Sequence, residues 1–230
     1  YKIVVPWPWL FNTLLNVYDG IANIRTDFKK HLFFTKTEYL FLVPGAKEKT
    51  LIGGTQFCDA LTDDARLVQR LIQESLQLGG QAINYCQVEQ LTEQAHSGDV
   101  KIINGVRVKV EEASFTLKAN VVINATGAWT NKLLKTLTHA NDASQSSVSS
   151  PLKMRPLRGS HLVLPSWRLP VGTVISILHP LDKRPVQVYP WQHVTLVGTT
   201  DVEHLEPLAN EAKISVREVD YLLEAVASQF

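Results

Sequence analysis

The run VVINATGAWTNKLL, Val121–Leu134, has the residue types to lay a ligand against bare main chain. Val121, Val122 and Ile123 suit a strand covered on both faces, because β-branched side chains pack well on a buried pleat. Gly127 permits a sharp bend or a close approach, and Thr130 can cap a short helix carrying Leu133 and Leu134. Strand, small-residue bend and helix together aim backbone amides at a bound group. An ordinary buried turn reads equally well from these residues alone. Arg184, which opens RPVQVYPW, offers a fixed positive charge with paired donors suited to phosphate or alkoxide oxygens. A solvated surface arginine is the plainer alternative. Thr199 and Thr200 follow Gly198, and their hydroxyls can serve a ligand or simply close a turn on the backbone. His161, in RGSHLVLP, has an imidazole that titrates near neutrality and could act as a base. With no partner visible in the sequence, a structural or surface role is the better reading of it.

Other residues carry less. Asp63 and Asp64 imitate a catalytic carboxylate pair, yet they stand where acidic residues favour the start of a helix. Histidines and carboxylates show no metal-ligand spacing such as HExxH. Cys58 and Cys86 form no CxxC and read as small buried hydrophobes, in keeping with a reducing compartment. Trp7 and Trp9 have the side chains of a membrane-contacting edge, although core packing is the simpler reading.

Several elements must position these groups. Leu10, Leu14, Val17 and Ile21 recur at helical spacing and predict an amphipathic helix. A basic connector, Arg25 to Lys30, leads to the apolar run Tyr39–Val43, ended by Pro44-Gly45. The clearest helix runs from Asp63 to about Leu78, capped by Thr62 or Asp63 and stopped by Gly79-Gly80. Its apolar side is Leu67, Leu71, Ile72, Leu76 and Leu78. Ala82 to Leu91 reads as a strand, and Asn104-Gly105 as a hairpin turn between KII and VRVKV. HANDASQSSVSS, His139–Ser150, is polar and reads as a mobile loop. SHLVLP, GTVISIL, RPVQVYPW and VTLVGTTD then predict an antiparallel sheet, followed by a helix over Val216–Phe230.

With 230 residues, 45% of them hydrophobic and 20% charged, and a net charge of +1, the chain has the composition of a globular protein. It lacks the basic excess that nucleic-acid binding demands. The apolar N-terminal piece is broken by Pro6, Pro8 and Asn12, well short of the roughly 20 residues of a membrane span. The opening Tyr1, the single Met154 and the uncapped LLEAVASQF ending are read as marks of a piece of a longer protein.

Six stretches in order resemble the FAD-dependent glycerol-3-phosphate dehydrogenases of the D-amino-acid-oxidase-like flavoprotein superfamily: FCDALTDDARL, VVINATGAWTNKL, PLRGSHLVLP, DKRPVQVYPW, VTLVGTTDVEH and REVDYLLEAV. The VPWPWLFNTLLNVYDG opening extends the likeness. The family's first βαβ unit carries GxGxxG, whose glycines bring a helix N-terminus to the pyrophosphate; no GxGxxG occurs here. The resemblance therefore implies an α/β (α+β) fold with two parts. One is an incomplete FAD-binding lobe with a β-hairpin insertion, and the other is an antiparallel-sheet substrate lobe. The expected boundaries are 1–58 for the N-terminal part of the substrate lobe and 59–138 for the partial FAD-binding lobe. Residues 139–150 form the loop, and 151–230 the rest of the substrate lobe.

By the same resemblance, Ala125, Thr126 and Gly127 turn over the flavin dinucleotide, Trp129 walls the flavin region, and Val88 presents its backbone to the adenine. Arg184, Thr199 and Thr200 are implied to be substrate-binding. The implied reaction is oxidation of sn-glycerol 3-phosphate to dihydroxyacetone phosphate by hydride transfer to FAD, with quinone as electron acceptor and the base unassigned. The piece alone is expected to bind FAD weakly or not at all. The implied location is cytoplasmic, with peripheral contact at the inner face of the membrane left open. A flavin-dependent amine or amino-acid oxidase, or a folded non-catalytic module, are the alternatives.

Overall fold

The computed structural model describes residues 8–22, 29–49, 51–97, 100–137 and 154–230. The Trp7 side chain, that of Trp9 and the His139–Ser150 run lie outside them, so the expectations placed there are not addressed. Two units organise the described residues: one within 1–61, 157–202 and 212–230, the other within 62–156 and 203–211.

In the first unit, helix α1 (Pro8–Ala22) is followed by β1 (Leu32–Thr35), α2 (Lys36–Leu42) and β2 (Gly53–Gln56), with β1 and β2 antiparallel. Helix α1 forms where expected, but its buried residues are Leu15 and Asp19, while Leu14, Val17 and Ile21 are exposed. The buried Asp19 carboxylate explains the difference. It accepts the His31 main-chain N–H at 3.0 Å and lies 2.7 Å from His31 Nδ1, so this polar staple fixes which face turns inward. Helix α2 begins with a capping box in which the Thr35 hydroxyl and the Glu38 carboxylate serve each other's backbone N–H. Gly54 is needed because a Cβ there would stand 2.3 Å from the Tyr39 ring.

The second unit starts with α3 (Asp64–Gln77), capped by Asp63, whose carboxylate accepts the Arg66 N–H, and followed by Gly79 at φ +88°. That agrees with the expectation, although α3 buries none of its residues and its apolar side stays open. Strands β3 (Gln87–Ala95), β4 (Lys101–Val110) and β5 (Ala113–Lys118) form an antiparallel sheet in that order. Three expectations are corrected here. The strand expected over Ala82–Leu91 begins only at Gln87. Asn104-Gly105 is not a hairpin turn, because β4 runs straight through it, and the real turn is Glu111-Glu112, with Glu111 at φ +52°. Gly105 is instead required by close packing, since a Cβ there would lie 2.1 Å from the Leu117 carbonyl oxygen. Val121–Ile123 is not a strand: it is unpaired, with Val121 75% and Ile123 83% exposed, because no neighbouring strand among the described residues supplies a ladder.

A 3-10 turn, Gly127–Trp129, leads to the short helix α4 (Thr130–Leu134). Thr130 is the first helical residue rather than the cap, and its hydroxyl donates to the Gly127 carbonyl at 2.8 Å. Cys58 and Cys86 are free and half-buried rather than fully buried.

The remaining elements are β6 (Leu157–Arg158), β7 (His161–Pro165), β8 (Ile175–Leu178), β9 (Pro185–Trp191), β10 (Val194–Gly198), β11 (Val202–Glu203) and α5 (Val216–Gln229). The four β-rich runs read from the sequence are β7 to β10, and they form one antiparallel sheet in the order β7-β10-β9-β8. Alternation along the strands sends Ile175, Ile177, Val186, Val188 and Val197 to one face, where Leu222 and Ala225 of α5 meet them. Among the described residues, no helix is long and apolar enough to cross a membrane.

Candidate functional site

One end of the four-stranded sheet gathers most of the polar groups singled out in the sequence. Antiparallel pairing sets Gly198, the last residue of β10, opposite His161 on β7 and Gln187 on β9. Continuing past that end, β10 leads to Thr199, Thr200 and Asp201, while the approach to β9 carries Arg184. The Arg184 guanidinium bonds the Asp201 carboxylate through Nη2 and its carbonyl through Nη1, the latter at 3.2 Å. The Asp201 carboxylate raises the arginine's pKa further, so the positive charge is permanent. With 48% of its side chain exposed, Arg184 still presents donors to solvent.

The chain ends around this edge are fitted to one another. A Cβ on Gly198 would stand 2.2 Å from the His161 ring, so the imidazole covers a position only glycine can fill. A Cβ on Gly159 would stand 2.5 Å from the Thr199 hydroxyl. His161 and Thr199 themselves are exposed. Thr200 departs from the expected role. It is buried, its hydroxyl gives its only proton to Glu218 Oε1 at 2.9 Å and it accepts the Ser160 N–H at 2.9 Å. Thr200 thus supports the edge rather than facing a ligand.

Glu218, on the first turn of α5, was not singled out in the sequence. The signal for it was present: Ser215 followed three residues later by Glu218 is a capping box, and the structure forms it. The carboxylate is 3% exposed and also receives the Arg158 guanidinium at 2.6 Å and the Ser160 hydroxyl at 2.9 Å. Burial by itself would raise its pKa, but Arg158, the Ser215 N–H and hydroxyl, and Ser160 outweigh that and hold it at about 2. A glutamate ordinarily titrates near 4.5, so the stabilisation from these partners is complete above that pH and is lost as pH falls towards 2. A Tm measured from pH 6 down to 2 should therefore fall, and Glu218→Gln, less stable at pH 6, should show a shallower decline. An equally steep decline in the variant would assign the acid lability elsewhere.

The residues expected to contact a dinucleotide lie in the other unit. Ala125, Thr126, Gly127 and Trp129 are contiguous. Asn124 shapes their bend: its Oδ1 accepts the Thr126 hydroxyl at 2.7 Å and the Thr126 N–H at 3.3 Å, and its Nδ2 donates to the Thr130 carbonyl at 3.3 Å. Thr126 is thereby turned inward, and Ala125, Gly127 and Trp129 are exposed. Gly127 sits at φ +55°, and a Cβ built on it would meet nothing within 4 Å. Helix α4 then packs against β3, and in the following turn the Thr136 hydroxyl oxygen accepts the Leu91 N–H at 3.2 Å. Val88 lies near the start of β3, the edge strand of its sheet, paired on its other side with Val108. An open, small-residue bend and an edge-strand backbone fit the approach of a dinucleotide to main chain.

These two units form part of a flavoprotein of the FAD dependent oxidoreductase family. The chain belongs to that family, whose sequence profile it matches over residues 14–230. It is 27% identical over 218 residues to the aerobic glycerol-3-phosphate dehydrogenase of Staphylococcus aureus strain USA300, a match covering 94% of this chain and 36% of the relative. The chain thus spans about a third of the length of the curated relatives it matches. Among solved structures, it is similar to the glycerol-3-phosphate dehydrogenase from Bacillus halodurans complexed with FAD. That similarity has a TM-score of 0.68 and 26% identity, covering 86% of this chain and 37% of the other. The L-proline dehydrogenase from P. horikoshii shares the fold, with a TM-score of 0.62 and 12% identity over 97% of this chain and 53% of its own.

Proposed function

We propose that this chain supplies the substrate edge and part of the dinucleotide site of an enzyme that oxidises sn-glycerol 3-phosphate to dihydroxyacetone phosphate and passes the electrons to a quinone. The observation that carries the reading is the sheet end where β10, paired at Gly198 with His161, runs on to exposed Thr199 and to Asp201, which holds Arg184. A fixed guanidinium at a sheet end that also carries hydroxyl and imidazole groups suits a small anionic alcohol: arginine neutralises and orients the phosphate or an alkoxide, and Thr199, whose own proton goes to the Thr200 carbonyl at 3.0 Å, can accept from a substrate hydroxyl. His161, exposed at the same sheet end, has the chemistry to take the hydroxyl proton. The similarity to glycerol-3-phosphate dehydrogenases favours this substrate over an amino acid.

FAD, when bound, supplies the two-electron acceptor. Ala125 and Gly127 would admit its dinucleotide to main chain, Thr126 would keep the bend in shape, Trp129 would cover the flavin region and the Val88 backbone would meet the adenine. The full-length, flavin-loaded protein should reduce a dye with glycerol 3-phosphate and far more slowly with glycine or L-proline. Faster turnover of either amino acid would replace this substrate with the amine-oxidase reading.

A further inference from the structure

We propose that α5 positions the substrate edge through two side chains one helical turn apart, Glu218 and Tyr221, with Tyr221 acting through Arg184. Residues three apart on a helix share a face, and here each reaches a different part of the same sheet end. Glu218 Oε1 takes hydroxyl protons from Ser160 and Thr200, both at 2.9 Å, and the Ser160 N–H closes the link to Thr200. These bonds lock the residue before His161 to the residue after Thr199. Tyr221 secures the other half. Its hydroxyl spans both Asp182 carboxylate oxygens at 3.1 Å, and Asp182 Oδ1 accepts the Arg184 main-chain N–H at 3.1 Å.

The turn carrying Arg184 is fastened a second time. The buried His179 ring stacks on Tyr221 with centroids 3.7 Å apart and planes 4° from parallel. His179 Nδ1 accepts the Leu181 N–H at 3.2 Å, which leaves Nε2 to donate to the Tyr221 carbonyl at 2.9 Å. Helix packing alone requires neither the Tyr221 hydroxyl nor Asp182, because Leu222 and Ala225 already bury the helix on the sheet. What the hydroxyl adds is a fixed direction for the main chain from which the Arg184 side chain leaves. A guanidinium that must meet an anion in paired geometry gains most from such fixing.

This inference rests on the reading of Arg184 as a substrate contact, and the test separates the two. Tyr221→Phe keeps the stacked ring and removes one hydroxyl. Steady-state kinetics are measured on the full-length, flavin-loaded protein, with Arg184→Ala and the double variant alongside. The substrate is whichever of glycerol 3-phosphate, glycine and L-proline the unmodified protein oxidises fastest. The expected result for Tyr221→Phe is a KM raised about fivefold, a kcat within about twofold, and no further rise in KM when it is added to Arg184→Ala. An unchanged KM in Tyr221→Phe, or the same rise in both backgrounds, would overturn the positioning role while leaving Arg184 as a contact. An unchanged KM in Arg184→Ala would sink the substrate-edge reading and this inference with it.

Discussion

Arg184→Ala is expected to lower kcat/KM for glycerol 3-phosphate about 100-fold, mostly through KM. The size follows from losing charge-assisted hydrogen bonds to an anion, each contributing about 1.5–3 kcal/mol, where 1.4 kcal/mol is a factor of ten. The fold should survive the change, because the side chain is half exposed and its main partner, Asp201, is also solvent-accessible. Surface pairs of this kind contribute roughly 0–1 kcal/mol to stability, so Tm should move little while the kinetics move greatly. Arg184→Lys keeps the charge but not the planar fork, and should recover part of the loss. Initial rates over a substrate range, with Tm measured in parallel, check both halves. A large fall in Tm with unchanged KM would make Arg184 a structural residue.

Leu222→Ala should produce the largest loss of stability, about 3 kcal/mol within the 2–5 kcal/mol usual for such truncations in a packed core. Leu222 is fully buried and meets the face formed by Ile175, Ile177, Val186, Val188 and Val197. For a chain of this size that corresponds to a Tm lower by roughly 6–12 °C. Leu222 also directly follows Tyr221 and lies four residues, one helical turn, beyond Glu218, so loosening it should raise KM as well as lower Tm. Urea unfolding followed by circular dichroism gives the stability change, read as a shifted midpoint at constant slope. A loss below about 1 kcal/mol would mean that α5 is not seated as described.

What could be read from the sequence depended on whether the signal was local. Asp63 and Gly79 bracket α3 because capping and left-handed backbone are properties of single residues. The alternation in VISIL and PVQVYPW likewise marked strands whose partners lie a few residues away. Val121–Ile123 has the composition of a buried strand, yet a strand exists only where a neighbour completes its ladder, and composition does not report that neighbour. Asn104-Gly105 imitated a hairpin because the dipeptide favours tight turns, while the actual demand on Gly105 comes from the Leu117 carbonyl on the next strand.

The candidate site shows the same division. Arg184 and Thr199 could be singled out because their chemistry is visible one residue at a time. Asp201, Glu218 and Tyr221 matter through contacts across 17 to 60 positions, which no local pattern carries. Thr200, taken for a ligand donor by its place beside Thr199, is committed to Glu218 and Ser160, 18 and 40 positions away in the chain.

The most direct test is a crystal structure of the full-length, flavin-loaded protein with glycerol 3-phosphate bound. Oxygens of the substrate should lie about 3 Å from the Arg184 guanidinium, with Thr199 and His161 beside them. Substrate bound away from that sheet end, with Arg184 still engaged only by Asp201, would contradict the account.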